Sequence, residues 1–340
     1  MRGFIFGPII FCFLATGFAQ EKPLQRIDEL VPLKTAGGLV FWGDVYFSRE
    51  HHIQKNVKMG TYRLLDFRAV QRATGSFEDC KRRLEEIESE ENIQSLQGRV
   101  VILLHGFGSG PFTMRRLTEF LRGHKEFDAV LNVAYPSTQQ SVLEHARLLA
   151  QIVDGLPKSV TRIDFVGHSL GGIVMRRYLS GPLDEQWQTP LDKMEYRGKF
   201  WPDKRIGRFV MLGPPNHGAE IATRLIGNNP LHRRLGGESG DELGIHWDRT
   251  EQSLGIPCCP FGIIAGGRGD DRGVSPLIPG DNDGIVRTEG THLDGAEDWM
   301  QFFVGHGEML LTEDVYAAVF RFLEHGRFRD ESESPDNDPK

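Results

Sequence analysis

The stretch Asp164-Phe165-Val166-Gly167-His168-Ser169-Leu170-Gly171-Gly172 decides how this chain is read. A short apolar run ends in a serine with glycine two residues to either side, and Ile173-Val174-Met175 opens a helical pattern at once. A serine on a sharp strand-to-helix turn is held in a strained backbone conformation, and a Cβ at either flanking position collides with the strand or the helix. The turn lifts the hydroxyl above the sheet edge, where a histidine from elsewhere reaches it. Ser169 is therefore a candidate nucleophile.

Outward from that turn the pattern is strand, loop, helix, repeated. Val100-Val101-Ile102-Leu103-Leu104 is the continuous apolar run of a strand buried on both faces. His105-Gly106-Phe107-Gly108 follows, then a predicted helix over 112–122. A strand over 129–135 leads to a helix over 141–153, whose Ser141-Val142-Leu143-Glu144 has the form of a capping box. The strand over 162–166 delivers Ser169. A fourth strand, 209–212, runs into Gly213-Pro214-Pro215-Asn216-His217-Gly218, and a fifth and sixth are expected at 261–265 and 299–304. The last helix, 312–323, starts at a threonine with Glu313 and Asp314 in its first turn. Strands alternating with helices predict an α/β fold, a mostly parallel sheet with helices on both faces. Residues 227–257 read as irregular, a lid or surface excursion.

The N-terminal third differs. Arg2, an apolar run over 4–13 and the small residues Gly17 and Ala19 have the three parts of a signal peptide, with cleavage expected after Ala19 and export as the consequence. The run is shorter than the roughly 20 residues a bilayer requires, and no later segment is apolar enough to span one. Residues 20–98 carry two strand-like runs, 38–47 and 62–67, and a charged helix over 77–88 with Cys80, Leu84 and Ile87 on one side. They read as leading strands and a covering helix of one domain over 20–328. Residues 329–340 form an acidic tail expected to be disordered.

Composition excludes several classes. The 340 residues suffice for one large domain. With 40 Lys and Arg against 47 Asp and Glu the chain has no nucleic-acid footprint. No Gly-x-Gly-x-x-Gly leads a strand into a helix, which speaks against a nicotinamide enzyme. No His or Cys cluster stands at metal-ligand spacing, so neither metal nor cofactor is expected. In an oxidising compartment Cys80 has Cys258 or Cys259 as a possible disulfide partner.

A serine hydroxyl needs a base, and the base needs a third group to fix its tautomer and stabilise its charge. His306 follows the last strand in Val304-Gly305-His306-Gly307-Glu308 and is the candidate base; His217, His292 and His325 are less well placed. The loop after the fifth strand offers Asp270, Asp271, Asp281 and Asp283 as the acid. Asp283 is favoured by its tight turn, Asn282-Asp283-Gly284-Ile285-Val286, with Asp270 and Asp271 as alternatives nearer the strand end. An oxyanion hole needs two backbone N–H groups. Leu170, at a helix N-terminus, supplies one and Phe107 the other. His105 is expected to brace its loop and His168 to pack or line the cleft.

Leu104-His105-Gly106-Phe107-Gly108, Gly167-His168-Ser169-Leu170-Gly171-Gly172, Asn282-Asp283-Gly284-Ile285-Val286 and the late His306 together resemble the α/β-hydrolase superfamily. They are most similar to its lipase-like branch, including bacterial triacylglycerol lipases, over about residues 99–325. Gly213-Pro214-Pro215-Asn216-His217-Gly218 resembles the Thr-Pro-x-x-Gly loop of that branch, with Pro214 where threonine is usual. The resemblance implies an exported serine hydrolase of lipid or other apolar acyl esters. Thioesterase, amidase and GPI-inositol-deacylase-like activities use the same triad, and a non-catalytic binding protein on the same fold is the contrasting reading. Calcium-dependent members carry an Asp two residues after the histidine; here that position is Glu308, which leaves calcium open.

Overall fold

The computed structural model describes residues 41–181, 203–219 and 230–330, and the backbone alone at 195–196, 199–200 and 230–236. The expected signal peptide, residues 38–40 of the first strand, and 331–340 of the tail lie outside the described residues. Among the described residues no helix is long and apolar enough to cross a membrane.

The described chain opens with an antiparallel meander, β1 (Trp42–Ser48), β2 (His51–Asn56), β3 (Tyr62–Leu65) and β4 (Gln71–Gly75), covered by α1 (Phe77–Glu90). Cys80, Leu84 and Ile87 of α1 pack with Val45, Ile53 and Leu64 in a cluster of their own. The sequence pattern anticipates two strands here, and there are four. The missing pair, His51-His52-Ile53-Gln54-Lys55-Asn56 and Gln71-Arg72-Ala73-Thr74-Gly75, is too polar to read as strand. Gln54 is buried all the same, because its carbonyl accepts from both Nε and Nη2 of Arg63 at 2.9 and 2.7 Å.

The rest follows the strand–helix alternation: β5 (Gly98–Leu104), α2 (Arg115–Arg122), β6 (Ala129–Val133), α3 (Val142–Gly155), β7 (Val160–His168) and α4 (Leu170–Leu179). After a two-residue hairpin, β8 (Glu195–Tyr196) and β9 (Lys199–Phe200), come β10 (Ile206–Leu212), α5 (Pro230–Leu243), α6 (Trp247–Gln252), β11 (Phe261–Gly266), β12 (Asp298–Phe302) and α7 (Glu313–His325). Six strands pair in the order β12-β11-β10-β7-β5-β6, every pair parallel. Side chains alternate across this sheet as the pleat requires. Val100, Ile102, Leu104, Ile163, Phe165, Phe209 and Met211 meet α3 and α4 on one face. Val101, Leu103, Val166, Val210 and Leu212 meet α2 and α7 on the other. Because all six strands point the same way, the loops carrying Phe107, Ser169, Gly213, Asp283 and His306 emerge at one edge.

Local differences have local causes. The segment expected to be irregular, 227–257, is helical over 230–243 and 247–252, with 227–229 outside the described residues. Glycines at 236 and 237 hid the periodicity: Gly237, at φ 57°, breaks α5, and a Cβ there would lie 1.7 Å from the Thr138 carbonyl oxygen. The predicted helix over 112–122 begins with a 3₁₀ turn, Pro111–Met114. Ser141 caps α3 by accepting from the Glu144 N–H, which is half of a capping box. At α7 the Thr312 hydroxyl donates back to the Glu308 carbonyl rather than capping the helix. All three described cysteines are free thiols; Cys80 belongs to the meander's cluster and Cys259 to the face of the parallel sheet that meets α3 and α4.

Candidate active site

Ser169 joins β7 to α4 at φ 53°, ψ −123°, one of few non-glycine residues at positive φ. The turn is crowded enough to explain both flanking glycines. A Cβ on Gly167 would fall 2.6 Å from the Gly172 backbone, and one on Gly171 would fall 2.4 Å from the Leu104 carbonyl oxygen. The Ser169 N–H donates to the Leu212 carbonyl at 2.8 Å, which fixes the turn to the end of β10. Ser169 is 7 % exposed. Its hydroxyl makes no hydrogen bond among the described residues, so the structure does not close a contact between it and His306.

Asp283 and His306 do meet. Nδ1 of His306 lies 2.7 Å from Oδ2 of Asp283, and since a carboxylate accepts, Nδ1 carries the proton and leaves Nε2 as the acceptor. Oδ1 of Asp283 takes the N–H groups of Ile285 and Val286 at 2.9 and 2.8 Å. Burial opposes the carboxylate's charge, but the His306 ring, its hydrogen bond and the two backbone donors outweigh it and hold the carboxyl below its ordinary range. The main chains are tied too, with His306 N–H donating to the Asp283 carbonyl at 2.8 Å.

The alternatives raised by the sequence are placed elsewhere. Asp270 closes its own turn by accepting from Arg272 and Gly273 N–H. Asp271 is exposed. Asp281 accepts from Arg268 and Gly269 N–H and from the Gln301 amide. His217 pairs with Glu251, His292 stacks on Trp299, and His325 ends α7. Glu308, at the calcium-ligand position, accepts from Gly305 N–H. Among the described residues no group of three His, Cys, Asp or Glu is placed to hold a metal.

Phe107 and Leu170 N–H make no hydrogen bond among the described residues, Leu170 being the first residue of its helix. His105 determines where the Phe107 N–H points. Its Nδ1 donates to the Gly106 carbonyl at 2.9 Å, and in a planar trans peptide the following N–H is directed the opposite way. Tyr135 in turn holds His105: its hydroxyl donates to the His105 carbonyl at 2.6 Å and the two rings stack 4.4 Å apart. Burial lowers the His105 pKa to about 4, so the ring stays neutral.

Two contributors were missed in the sequence. Gly213, at φ 54°, lies so close under the pair that a Cβ would sit 3.2 Å from both Asp283 Oδ2 and His306 Cε1. Gly266, at the end of β11, would bring a Cβ within 2.8 Å of the Asp283 Cβ. A glycine ending a strand before a functional loop was the available signal in each case.

The family model for the "Alpha/beta hydrolase family" matches residues 101–326. The chain belongs to this family. No curated protein sequence matches it. Among solved structures it is similar to the mature lipase BlEst2 of Bacillus licheniformis, at 16 % identity and TM-score 0.43, covering 66 % of this chain and 91 % of that one. A lipase-esterase related protein of Clostridium acetobutylicum matches at 13 % identity and TM-score 0.40, over 66 % of this chain and 94 % of the other. Aspergillus fumigatus lipase B matches at 15 % identity and TM-score 0.39, over 70 % and 55 %. Membership rests on the sequence match, not on these distant likenesses. This α/β hydrolase carries the meander β1–β4 ahead of the matched region.

Proposed function

We propose that this hydrolase is a serine esterase that cleaves carboxylic esters with apolar acyl groups through an acyl-enzyme. The observation that carries the reading is the pairing of buried Asp283 with His306 beside the strained Ser169 turn, with Phe107 and Leu170 N–H left open at the same edge. Ser169 Oγ attacks the ester carbonyl while Nε2 of His306 takes its proton. The resulting imidazolium is stabilised by Asp283, whose carboxylate is already held in the charged form. The N–H groups of Phe107 and Leu170 bind the oxyanion, each worth on the order of 100- to 1,000-fold in rate. The alcohol leaves with the proton from His306; water then attacks the acyl group, His306 takes its proton, and the acid is released as Ser169 recovers the hydrogen.

Exposed apolar side chains stand beside these loops, Phe112 just beyond Phe107 and Leu311 just beyond His306, and support an apolar acyl group. Export follows from the N-terminal sequence pattern and belongs to the same proposal. The deciding test combines a fluorophosphonate probe with p-nitrophenyl esters of short and long chains. Labelling and turnover by wild type, both lost in Ser169→Ala, are expected. A folded wild type that takes no probe overturns the reading, and one that takes the probe but leaves esters intact moves the substrate to thioesters or amides.

A further inference from the structure

His168 is a buried ionisable residue beside the site with no part in the steps above. It ends β7 and is covalently next to Ser169. Its Nε2 lies 3.0 Å from the main-chain oxygen of His306. A carbonyl only accepts, so Nε2 carries the proton and donates. The two rings lie 4.7 Å apart, inclined at 46°. Burial first, and the neighbouring His306 second, lower the His168 pKa to about 3, which keeps this ring neutral beside a base that must gain charge.

The contact changes what holds His306. Its N–H is fixed to the Asp283 carbonyl, and its own carbonyl is fixed to His168. The residue carrying the base is thereby clamped on one side to the acid and on the other to the nucleophile's immediate neighbour. Ser169 and His306 share no hydrogen bond among the described residues, and the His168 contact ties their two segments directly. The oxyanion loop is shaped around it as well: a Cβ on Gly106 would lie 3.1 Å from both His168 Nδ1 and Ser169 Cβ.

We propose that His168 is a positioning residue, whose Nε2–H tethers the main chain of His306 to the nucleophile turn and so sets the approach of base to nucleophile. The proposal rests on the assignment of Ser169, His306 and Asp283 made above, and goes beyond it by giving a required donor role to the residue before the nucleophile. It excludes direct proton transfer by His168, because the ring meets the backbone of His306 and not the reacting atoms.

The test is a pair of substitutions of matched length, His168→Gln and His168→Met, in the full chain. Glutamine keeps an N–H at comparable reach and methionine has none. Fluorophosphonate labelling of Ser169, kcat and KM on a p-nitrophenyl ester, and thermal unfolding are measured on both. The expected result is that His168→Met lowers kcat and the labelling rate together, on the order of 10- to 100-fold, as a misplaced base does. KM stays within about twofold and His168→Gln recovers most of the loss. Met and Gln variants equal to wild type overturn the proposal, as do two variants impaired equally, which assigns His168 to packing alone. A higher KM at unchanged kcat overturns it too. A wild type that takes no probe overturns the catalytic assignment itself, an outcome distinct from all three.

Discussion

A buried aspartate stands toward each end of the parallel sheet, Asp164 at one and Asp283 at the other, and the two are treated oppositely. Toward the N-terminal ends of the strands, Asp164 is fully buried and accepts from Arg99 Nε, Arg162 and the Arg208 N–H. The guanidinium groups of Arg99, Arg162 and Arg208 also donate to the Leu323 carbonyl in the last turn of α7, where positive charge suits the helix dipole. At the C-terminal ends, Asp283 is 2 % exposed and likewise paired, but its partner is the His306 imidazole. Around it the Ser169 hydroxyl and the N–H groups of Phe107 and Leu170 have no partner among the described residues. The first end is saturated with fixed charge and suits a holding role; the second keeps open donors beside an imidazole, as the proposed acting role requires.

Substituting each aspartate in turn breaks the comparison most sharply. Asp283→Asn leaves the shape but removes the charge that stabilises the imidazolium, and about a 10⁴-fold loss of kcat is expected, equivalent to about 5.4 kcal/mol. Thermal unfolding measured beside the esterase assay should move far less than the rate. Asp164→Ala leaves clustered guanidinium groups without their acceptor, and breaking a buried pair costs about 3–5 kcal/mol of stability. Urea unfolding should show that loss while kcat per folded molecule holds near wild type. An Asp164→Ala protein that is fully folded but inactive would erase the division between a holding end and an acting end.

The acting end was far more legible in the sequence than the rest. Gly167, Gly171, Asp283 and His306 sit where spacing along the chain placed them, because their constraints are local: a crowded turn, or a loop directly after a strand. The meander was half legible. Polar residues in β2 and β4 are satisfied across strands, as Gln54 is by Arg63, and such pairing leaves no apolar period to find. The saturated end was not legible at all. Arg99, Asp164, Arg208 and Leu323 come from four separate elements, and only the sheet order brings them together. Gly213 was visible as a glycine ending a strand, but the reason for it was hidden, since what forbids its side chain lies 70 and 93 residues further on, in Asp283 and His306.

Acid should separate the two ends next, through groups that titrate at only one of them. Burial holds His105 at a pKa of about 4 and His145 and His168 at about 3, whereas an unfolded chain binds those protons near 6.5. Between about pH 6.5 and 4 the unfolded state therefore holds more protons, so stability falls as pH falls. Each histidine contributes up to about 1.4 kcal/mol per pH unit, or about 3–4 kcal/mol for the three between pH 6 and 5. Asp283, whose folded pKa is depressed, adds a further loss only below about pH 3.9. A guanidinium group stays charged throughout this range. Urea midpoints from pH 7 to 5 test the slope, and His145→Gln should reduce it by about a third. A flat profile that His145→Gln leaves unchanged means these rings are not neutral and buried as described, since Asp44 and Glu242, whose carboxyls burial pushes up, act in the opposite direction.

The smallest effect compares the acting end with the meander through two serine caps. Ser76 starts α1 with a full capping box, and Ser141 starts α3 with its hydroxyl accepting from Glu144 N–H. Either serine replaced by alanine should cost about 1 kcal/mol. The consequences should differ in place. Beside Ser141, the Val142 N–H donates to Glu242, and Ser239 donates to the Gln140 carbonyl, so the start of α3 also anchors α5. His145 extends that anchor, with Nε2 3.1 Å from the Ser239 hydroxyl and its ring 4.8 Å from Tyr135, which stacks on His105. Ser141→Ala should therefore speed amide exchange in α5 and lower kcat by a small factor, on the order of twofold, through the loop that presents Phe107. Ser76→Ala should speed exchange only in α1 and its strands and leave kcat unchanged. If both substitutions alter exchange in the same segments, the meander and the acting end unfold as one unit, and the N-terminal strands serve the site as directly as α3 does.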